Sequence, residues 1–119
     1  MKKILIIEDN ELNLELLNDI LVFNNYRVLS ALNGEIGIKM ARQHRPDLIL
    51  MDLALPGING FEATDKIQSI PELKQIPILA VTSSVMPADI DQIFQHGFTD
   101  LVPKPINTRT IMETINKYL

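Results

Sequence analysis

The sequence contains no cysteine and no tryptophan, and it has no excess of basic residues. The absence of cysteine rules out disulfides and thiolate metal sites, and it agrees with a reducing compartment such as the cytoplasm. The 11 Lys and Arg residues are outnumbered by 15 Asp and Glu, giving a net charge of −4. Because nucleic-acid binders carry basic patches, direct binding to nucleic acid is not expected.

Long apolar runs are also missing. The first run, Ile4 to Ile7, is ended by Glu8 and Asp9, far short of the ~20 residues that span a bilayer. What remains is an ordinary globular composition, with 46% hydrophobic and 22% charged residues. A length of 119 residues without a repeat or linker predicts one domain, residues 1–119, in a cytoplasmic protein with no membrane partner.

Short apolar runs alternate with segments of helical spacing, which predicts strands and helices in turn. The strands are expected at Ile4 to Ile7, Tyr26 to Leu29, Leu48 to Met51, Ile78 to Val81 and Leu101 to Val102. Helical spacing links Leu17, Ile20 and Leu21; Ile36, Met40 and Ala41; Phe61 and Ile67; Ile90, Ile93 and Phe94; Ile111, Met112 and Ile115. Five such β-α units predict a doubly wound α/β fold with a parallel sheet.

Single residues mark several element boundaries. Asn25 and Gly97 follow helical segments, Asn107 precedes the last one as a candidate N-cap, and Pro87 suits a first helical turn. Gly37 is unexplained, because a glycine inside a helix costs about 1 kcal/mol relative to alanine.

Polar residues follow four of the five predicted strands. They are Glu8 and Asp9 after the first strand, Asp52 after the third, Thr82 after the fourth and Lys104 after the fifth. In an open α/β sheet, the functional crevice lies at the carboxyl ends of the strands. A single aspartate after a strand is more often a turn or cap residue. The prediction of a site therefore depends on these polar residues occurring together at successive strand ends.

Three carboxylates held together require a bound cation or a raised pKa. Mg²⁺ prefers a few carboxylate oxygens with waters and phosphate, which fits Asp9, Asp52, the Ala54 backbone carbonyl and a water held by Glu8. A carboxylate beside Mg²⁺ can act as a nucleophile on phosphorus if other groups neutralise the phosphoryl oxygens. Lys104 and Thr82 have the chemistry for that.

The two histidines do not suit a metal site. His44 and His96 stand alone on predicted helices, and an exposed structural role is expected for both rather than zinc or iron ligation.

The whole chain resembles the receiver domains of two-component response regulators, through ILIIEDN, PDLILMDLALPGINGFE, ILAVTSS and LVPKPI. The resemblance implies a flavodoxin-like sheet of order 2-1-3-4-5, Mg²⁺ binding by Glu8 and Asp9, and phosphorylation of Asp52. It also implies phosphoryl contacts from Thr82 and Lys104, and a cis peptide bond before Pro105 that aims the lysine inward.

The opening EDNELN, without an attached output module, is similar to that of small stand-alone regulators of the cell-cycle type. The expected partners are a histidine kinase or histidine phosphotransfer protein and an unknown downstream protein. The chain itself is expected to be a monomer or a weak transient dimer. The chain could instead be a receiver segment of a hybrid kinase or phosphorelay protein. Slow self-dephosphorylation is expected because Ala54 and Ser84, which flank the water path in this family, cannot orient water strongly.

The switch residues of the family are only partly present. Thr82 and Pro105 match, but Leu101 stands where many receivers carry an aromatic residue, so an aromatic flip cannot transmit the signal. Either a smaller repacking around Thr82 and Leu101 transmits it, or output uses the face near Asp52. Pro103 also removes a backbone donor near the end of the fifth strand.

The first helix is apolar over a wide arc. Leu17, Ile20 and Leu21 can face the sheet, whereas Leu12, Leu16 and Phe23 form a neighbouring stripe. Because Leu12 and Leu16 lie within two turns of Asp9, we predict that they dock the phosphodonor. The alternative is a deeply seated helix with a few idle exposed leucines.

Three other classes of protein fit part of the sequence less well. A flavin-binding module would need phosphate donors where Glu8 and Asp9 stand. A phosphatase of the haloacid-dehalogenase type requires a second aspartate at position 54, which is alanine. A degenerate receiver would bind partners without being phosphorylated, and the intact set of five site residues argues against it.

Overall fold

A computed structural model describes all residues 1–119 as five strands alternating with five α-helices. All strands are parallel, in the order β2-β1-β3-β4-β5, which confirms the predicted doubly wound, flavodoxin-like class. The elements are β1 (Lys3–Ile7), α1 (Glu11–Phe23), β2 (Arg27–Ala31), α2 (Gly34–His44), β3 (Leu48–Asp52), α3 (Gly60–Gln68), a 3-10 helix (Pro71–Leu73), β4 (Ile78–Thr82), α4 (Pro87–Gln95), β5 (Asp100–Pro103) and α5 (Thr108–Asn116).

The central strands are buried on both faces, which explains their unbroken apolar sequences. Successive side chains alternate between the faces, so Leu5 and Ile7 lie in one core cluster and Ile4 and Ile6 in the other. Residues of α2, α3 and α4 complete the first cluster, and residues of α1 and α5 complete the second. The sheet is therefore covered by helices on both sides.

Helix α2 shows why one glycine lies inside a helix. A Cβ atom at Gly37 would lie 2.4 Å from Cδ1 of Ile7, so the helix can approach β1 this closely only without a side chain there. The buried residues of α2 are Gly34, Gly37 and Ala41. Ile36 is 45% exposed, so it lies outside the buried face of α2 although it shares the apolar spacing of the helix.

Phe94 of α4 lies outside the buried face of its helix in the same way. It is 48% exposed, and Ile93 is the buried residue of that helix. The second strand begins and ends later than predicted, at Arg27 and Ala31, because its last residue pairs with Ile7 of β1. No helix of the protein is both long enough and apolar enough to cross a membrane.

The predicted boundary residues behave as expected. Asn25 and Gly97 have φ values of 68° and 90°, in the left-handed region that closes a helix. Asn107 caps α5 by accepting a hydrogen bond from the backbone N–H of Thr110, and Pro87 is the first residue of α4.

Candidate functional site

The three acidic residues meet at the carboxyl edge of the sheet. Strands β1 and β3 are neighbours with Ile7 opposite Met51, so Glu8 and Asp52 follow that pair at the same edge. Oxygen atoms of Glu8, Asp9 and Asp52 all lie within 4.8 Å of one another. Glu8 and Asp52 are only 1% and 4% exposed, whereas Asp9 is open to solvent. The predicted acidic cluster is therefore present.

Backbone donors hold the two buried carboxylates in place. The N–H of Ala54 donates to Oδ1 of Asp52 at 3.1 Å, and the N–H of Asn10 donates to Oε2 of Glu8 at 3.2 Å. The Asn10 side chain also accepts a hydrogen bond from the N–H of Asn13 and caps α1. The turns after β1 and β3 thus fix the orientation of both side chains.

Lys104 reaches this cluster from the edge strand. Its Nζ atom lies 3.3 Å from Oδ1 of Asp52 and 3.5 Å from Oε1 of Glu8, with the lysine side chain 21% exposed. Its backbone N–H donates to the carbonyl of Thr82 at 2.8 Å, which ties the end of β5 to β4. The peptide bond between Lys104 and Pro105 is cis, as predicted, and the lysine points inward.

The single ammonium group of Lys104 does not balance the three carboxylates of the cluster. The pKa of Glu8 rises from its usual 4.5 to about 7, first because burial disfavours the carboxylate, then because the Asp52 carboxylate lies beside it. The Asn10 N–H and Lys104 act in the opposite direction. Oε1 of Glu8 is buried and accepts no hydrogen bond, although it lies near the lysine.

These features fit a hard divalent cation. Three clustered carboxylates and an unsatisfied buried oxygen are what Mg²⁺, or a water bound to it, would satisfy. The nitrogen and sulfur ligands that zinc prefers are absent from the cluster. The Ala54 carbonyl as a further ligand stays a prediction.

The histidines lie outside this cluster, as predicted, but neither is simply exposed. His96 is half-buried and follows the last residue of α4, with Nδ1 3.0 Å from Oδ1 of Asp65 and its ring against Phe61. His44 is the half-buried last residue of α2, and its carbonyl accepts a hydrogen bond from Nζ of Lys3 at 2.5 Å.

Thr82 ends β4 at the same edge, but its hydroxyl is engaged locally. The hydroxyl oxygen accepts a hydrogen bond from the N–H of Ser84 at 3.1 Å, and the hydroxyl donates to the Ser84 carbonyl at 3.4 Å. Leu101 is half-buried and packs against the core cluster that contains Ile93 and Phe98. Its apolar side chain has no donor or acceptor and cannot form a hydrogen bond with Thr82.

The proposed docking residues are exposed at the start of α1. Leu12 and Leu16 are 77% and 41% exposed, and Phe23 at the far end of the helix is 86% exposed. Leu17 and Leu21 are fully buried instead, so the two predicted arcs of the helix are separate. The exposure agrees with docking, and the docking itself stays a prediction.

Two features of the site were not found from the sequence. A Cβ atom at Gly60 would lie 2.5 Å from the carbonyl oxygen of Asp52, so only glycine lets α3 begin against the end of β3. The other is a hydrogen bond from the Ser84 hydroxyl to the Asp89 carboxylate in the first turn of α4. The Asn59-Gly60 pair was a readable turn signal, whereas a serine and an aspartate five positions apart form no recognised pattern.

A flavodoxin-like sheet with an acidic cluster and an opposed lysine at its carboxyl edge is the architecture of a phosphoacceptor module of two-component signalling. The family model described as "Response regulator receiver domain" matches residues 4–116, and the chain belongs to that family.

Among known proteins, the chain is similar to the polar-differentiation response regulators DivK of two bacteria. The Brucella anthropi protein is 42% identical over 99% of this chain and 96% of its own length, and the Brucella melitensis protein is 40% identical with the same coverage.

Two solved structures share the fold over nearly the whole chain. The chemotaxis protein CheY4 of Vibrio cholerae has a TM-score of 0.95 and 27% identity, covering 100% of this chain and 99% of the other. A receiver domain of a Pseudomonas aeruginosa sensor histidine kinase has a TM-score of 0.92 and 29% identity, covering 98% of this chain and 96% of that one. That second structure is described with a magnesium ion coordinated in its active-site cleft.

Proposed function

We propose that Asp52 accepts a phosphoryl group from a phosphohistidine on a histidine kinase or histidine phosphotransfer protein, and that the modification changes which partner the chain binds. The observation that carries this proposal is the setting of the Asp52 carboxylate. It is nearly buried, oriented by the Ala54 N–H and placed 3.3 Å from the Lys104 ammonium. A carboxylate so oriented can act as a nucleophile toward one fixed direction.

The chemistry requires one bond to form and one to break. A carboxylate oxygen of Asp52 attacks phosphorus, the phosphorus–nitrogen bond of the donor breaks, and the imidazole leaves and takes up a proton from solvent. Lys104 neutralises charge on the phosphoryl oxygens. Mg²⁺ would be held by Asp9, Asp52 and the Ala54 carbonyl, with Glu8 binding a coordinated water, and would neutralise the remaining phosphoryl charge.

The same residues argue for a switch rather than an enzyme with turnover. Neither Ala54 nor Ser84 offers a carboxylate or carboxamide to orient an attacking water, so self-dephosphorylation should be slow. We propose a single receiver domain over residues 1–119 that exchanges its phosphoryl group in the cytoplasm. A place within a phosphorelay or a longer hybrid kinase is compatible with the same chemistry.

The proposal is tested by incubating the protein with Mg²⁺ and acetyl phosphate and measuring its intact mass. One phosphoryl adduct should form, and Asp52→Asn should abolish it. Asp9→Ala or excess EDTA should prevent it as well, because the cation would be lost. Lys104→Ala should still form an adduct but should no longer change partner affinity on phosphorylation. An unmodified mass under all conditions would instead support a degenerate receiver that binds partners without phosphorylation.

The docking surface is tested by comparing a small donor with a protein donor. Leu12→Asp and Leu16→Asp should slow phosphoryl transfer from the cognate phosphohistidine protein while labelling by acetyl phosphate is unchanged. Phe23→Asp is a matched control, because Phe23 is 86% exposed on the same stripe but lies at the end of α1 remote from Asp9. If phosphorylation slows equally with both donors, the two leucines are structural. If it slows with neither, they take no part in docking.

A further inference from the structure

Two asparagines of the chain are each followed by a glycine, and both pairs lie at the start of a helix. Asn33 and Gly34 begin α2, and Asn59 and Gly60 begin α3, with each asparagine side chain accepting a hydrogen bond from the first turn. An asparagine amide is chemically labile, most of all before glycine, because the missing side chain leaves the next backbone nitrogen free to approach it. These two pairs are therefore the positions at which the chain is most liable to lose an amide.

The fold protects one of the two pairs more than the other. The N–H of Gly60 donates a hydrogen bond to the carbonyl of Leu53 at 3.1 Å, whereas the N–H of Gly34 makes no hydrogen bond. Both asparagines are half-buried and both glycines are buried, so burial does not distinguish the pairs. What distinguishes them is the unengaged backbone nitrogen next to Asn33.

The packing of α2 requires that a glycine follows Asn33. A Cβ atom at Gly34 would lie 2.8 Å from Cγ1 of Ile58 and 3.2 Å from Cβ of Ala63. Ile58 belongs to the loop between β3 and α3, so the start of α2 packs closely against that loop. A larger residue, which would slow an attack by the backbone nitrogen, cannot be placed here without moving these neighbours.

We propose that Asn33 is a site of spontaneous deamidation, and that the product loosens the contact between α2 and the loop after β3. The backbone nitrogen of Gly34 attacks Cγ of the Asn33 side chain, so that a nitrogen–carbon bond forms and the Cγ–Nδ2 bond breaks. The side-chain nitrogen leaves as ammonia and takes the proton of the Gly34 N–H with it. A water molecule then opens the resulting cyclic imide at one of its two carbonyl groups.

The two products affect the fold differently. Opening at Cγ gives an aspartate, which still offers an oxygen to the N–H of Ile36 and places a negative charge at a helix start, where it is favourable. Opening at the backbone carbonyl gives an isoaspartate, whose main chain runs through the former side chain and is longer by one carbon. Because Gly34 is tightly packed against Ile58, the longer main chain should disturb that contact.

Peptide mapping after incubation at mildly alkaline pH compares the two pairs within one protein. Trypsin separates them, because the peptide Val28–Lys39 contains Asn33 as its single asparagine and Gln43–Lys66 contains only Asn59. In the folded protein the first peptide should gain the acid about two- to tenfold faster than the second, the size expected if the second must first break a hydrogen bond. In urea the two rates should be similar, because unfolding removes that bond.

The comparison of rates can overturn the proposal in several ways. Equal conversion of Asn33 and Asn59 in the folded protein would show that the hydrogen bond of Gly60 gives no protection. Faster conversion of Asn59, or no conversion of Asn33 in the folded protein, would show that α2 is not the vulnerable helix start. Neither result depends on phosphorylation of Asp52.

Thermal unfolding tests the effect of the product on the fold. Asn33→Ser is the matched control, because serine caps a helix and has no amide to lose. After incubation the parent protein should have a lower Tm than Asn33→Ser, in proportion to the isoaspartate measured by enzymatic methylation. Asn33→Asp reproduces the other product and should unfold like the fresh parent. If isoaspartate forms and the incubated parent and Asn33→Ser unfold alike, the contact with Ile58 is not loosened.

Discussion

The turns that follow β1 and β3 and the loop that follows β4 lie at the same edge of the sheet, yet they are built in different ways. All three follow strands whose residues are almost all buried, and in the first two turns a carboxylate accepts a backbone hydrogen bond. The loop after β4 exposes Val85 and Met86 by 57% and 65% and leads into an uncapped helix. In this loop the hydroxyl groups of Thr82 and Ser84, rather than carboxylates, make the hydrogen bonds to the neighbouring backbone and to Asp89.

The difference suits two tasks that a receiver must combine. An acceptor must hold its nucleophile still, because a misplaced carboxylate loses reactivity steeply. A responding segment must have two arrangements of similar free energy, and such segments have few buried contacts. Here the rigid part carries Glu8 and Asp52, and the adaptable part carries Thr82 and the start of α4.

The largest expected difference between the two regions is in core substitutions. Ile6→Ala removes a fully buried side chain next to the acidic turn and should lower the free energy of unfolding by about 2–5 kcal/mol. Val85→Ala in the β4–α4 loop should change it by less than about 0.5 kcal/mol. Urea unfolding of both variants measures this, and comparable losses would contradict the division.

The acidic cluster should also make stability depend on pH. The pKa of Glu8 is about 7 in the folded protein against 4.5 ordinarily, so between these values the native state binds more protons than the unfolded chain. Stability of the metal-free protein should therefore fall as pH rises from about 4.5 to about 7, by roughly 3 kcal/mol from this group.

Unfolding in urea with EDTA across that pH range measures this effect. Glu8→Gln should remove the Glu8 contribution, since the amide does not titrate, and saturating Mg²⁺ should reduce it because a cation favours the carboxylate. If the free energy of unfolding falls equally with pH in the parent and in Glu8→Gln, Glu8 is not the titrating group.

A smaller effect is expected where α2 approaches β1. Gly37→Ala gains about 1 kcal/mol in helix propensity but places a Cβ atom against Ile7, and overpacking costs about 1–3 kcal/mol. The free energy of unfolding should fall by about 1 kcal/mol, measured by thermal or urea unfolding. Adding Ile7→Val should recover part of it, because that change shortens the opposing side chain. A more stable Gly37→Ala protein would show that the contact relaxes freely.

The smallest effect concerns the uncapped helix. Met86 has the extended backbone of an N-cap residue, with φ −65° and ψ 140°, so Met86→Asn can supply the missing cap. It should raise stability by about 0.5–1 kcal/mol and slow amide hydrogen exchange in the first turn of α4. Unchanged exchange would mean that the helix start is already fixed. The opposite change is Asn59→Ala, which removes the cap of α3 and should lower stability by a similar amount.

The sequence predicts the fold and the acidic cluster well because both depend on strand ends. A buried parallel strand is a short apolar run, and the residue after it must lie at the carboxyl edge, so Glu8, Asp52 and Lys104 could be placed without coordinates. The cap of α5 was predicted from Asn107, and that of α3 has a signal in the sequence too, since Asn59 is followed three positions later by Glu62.

The remainder could not be predicted because it depends on distances between elements. The reason for Gly37 is the approach of Ile7 from another strand, and the exposure of Ile36 and Phe94 depends on how their helices are rotated. The bond between Ser84 and Asp89 needs the path of the loop. Helical spacing indicates an apolar arc but does not say which part of it meets the sheet.

The order of elements along the chain has a consequence for how the protein is made. Strand β1 pairs with β2 and β3, so Glu8 and Asp9 can meet Asp52 as soon as the first half of the chain has emerged from the ribosome. Lys104, which offsets part of that negative charge, is synthesised 52 positions after Asp52. A nascent chain that has folded this far carries three crowded carboxylates with no ammonium beside them. Because a bound ligand stabilises the structure that binds it, magnesium ions should stabilise such an early structure more than they stabilise the completed chain, in which Lys104 shares the charge.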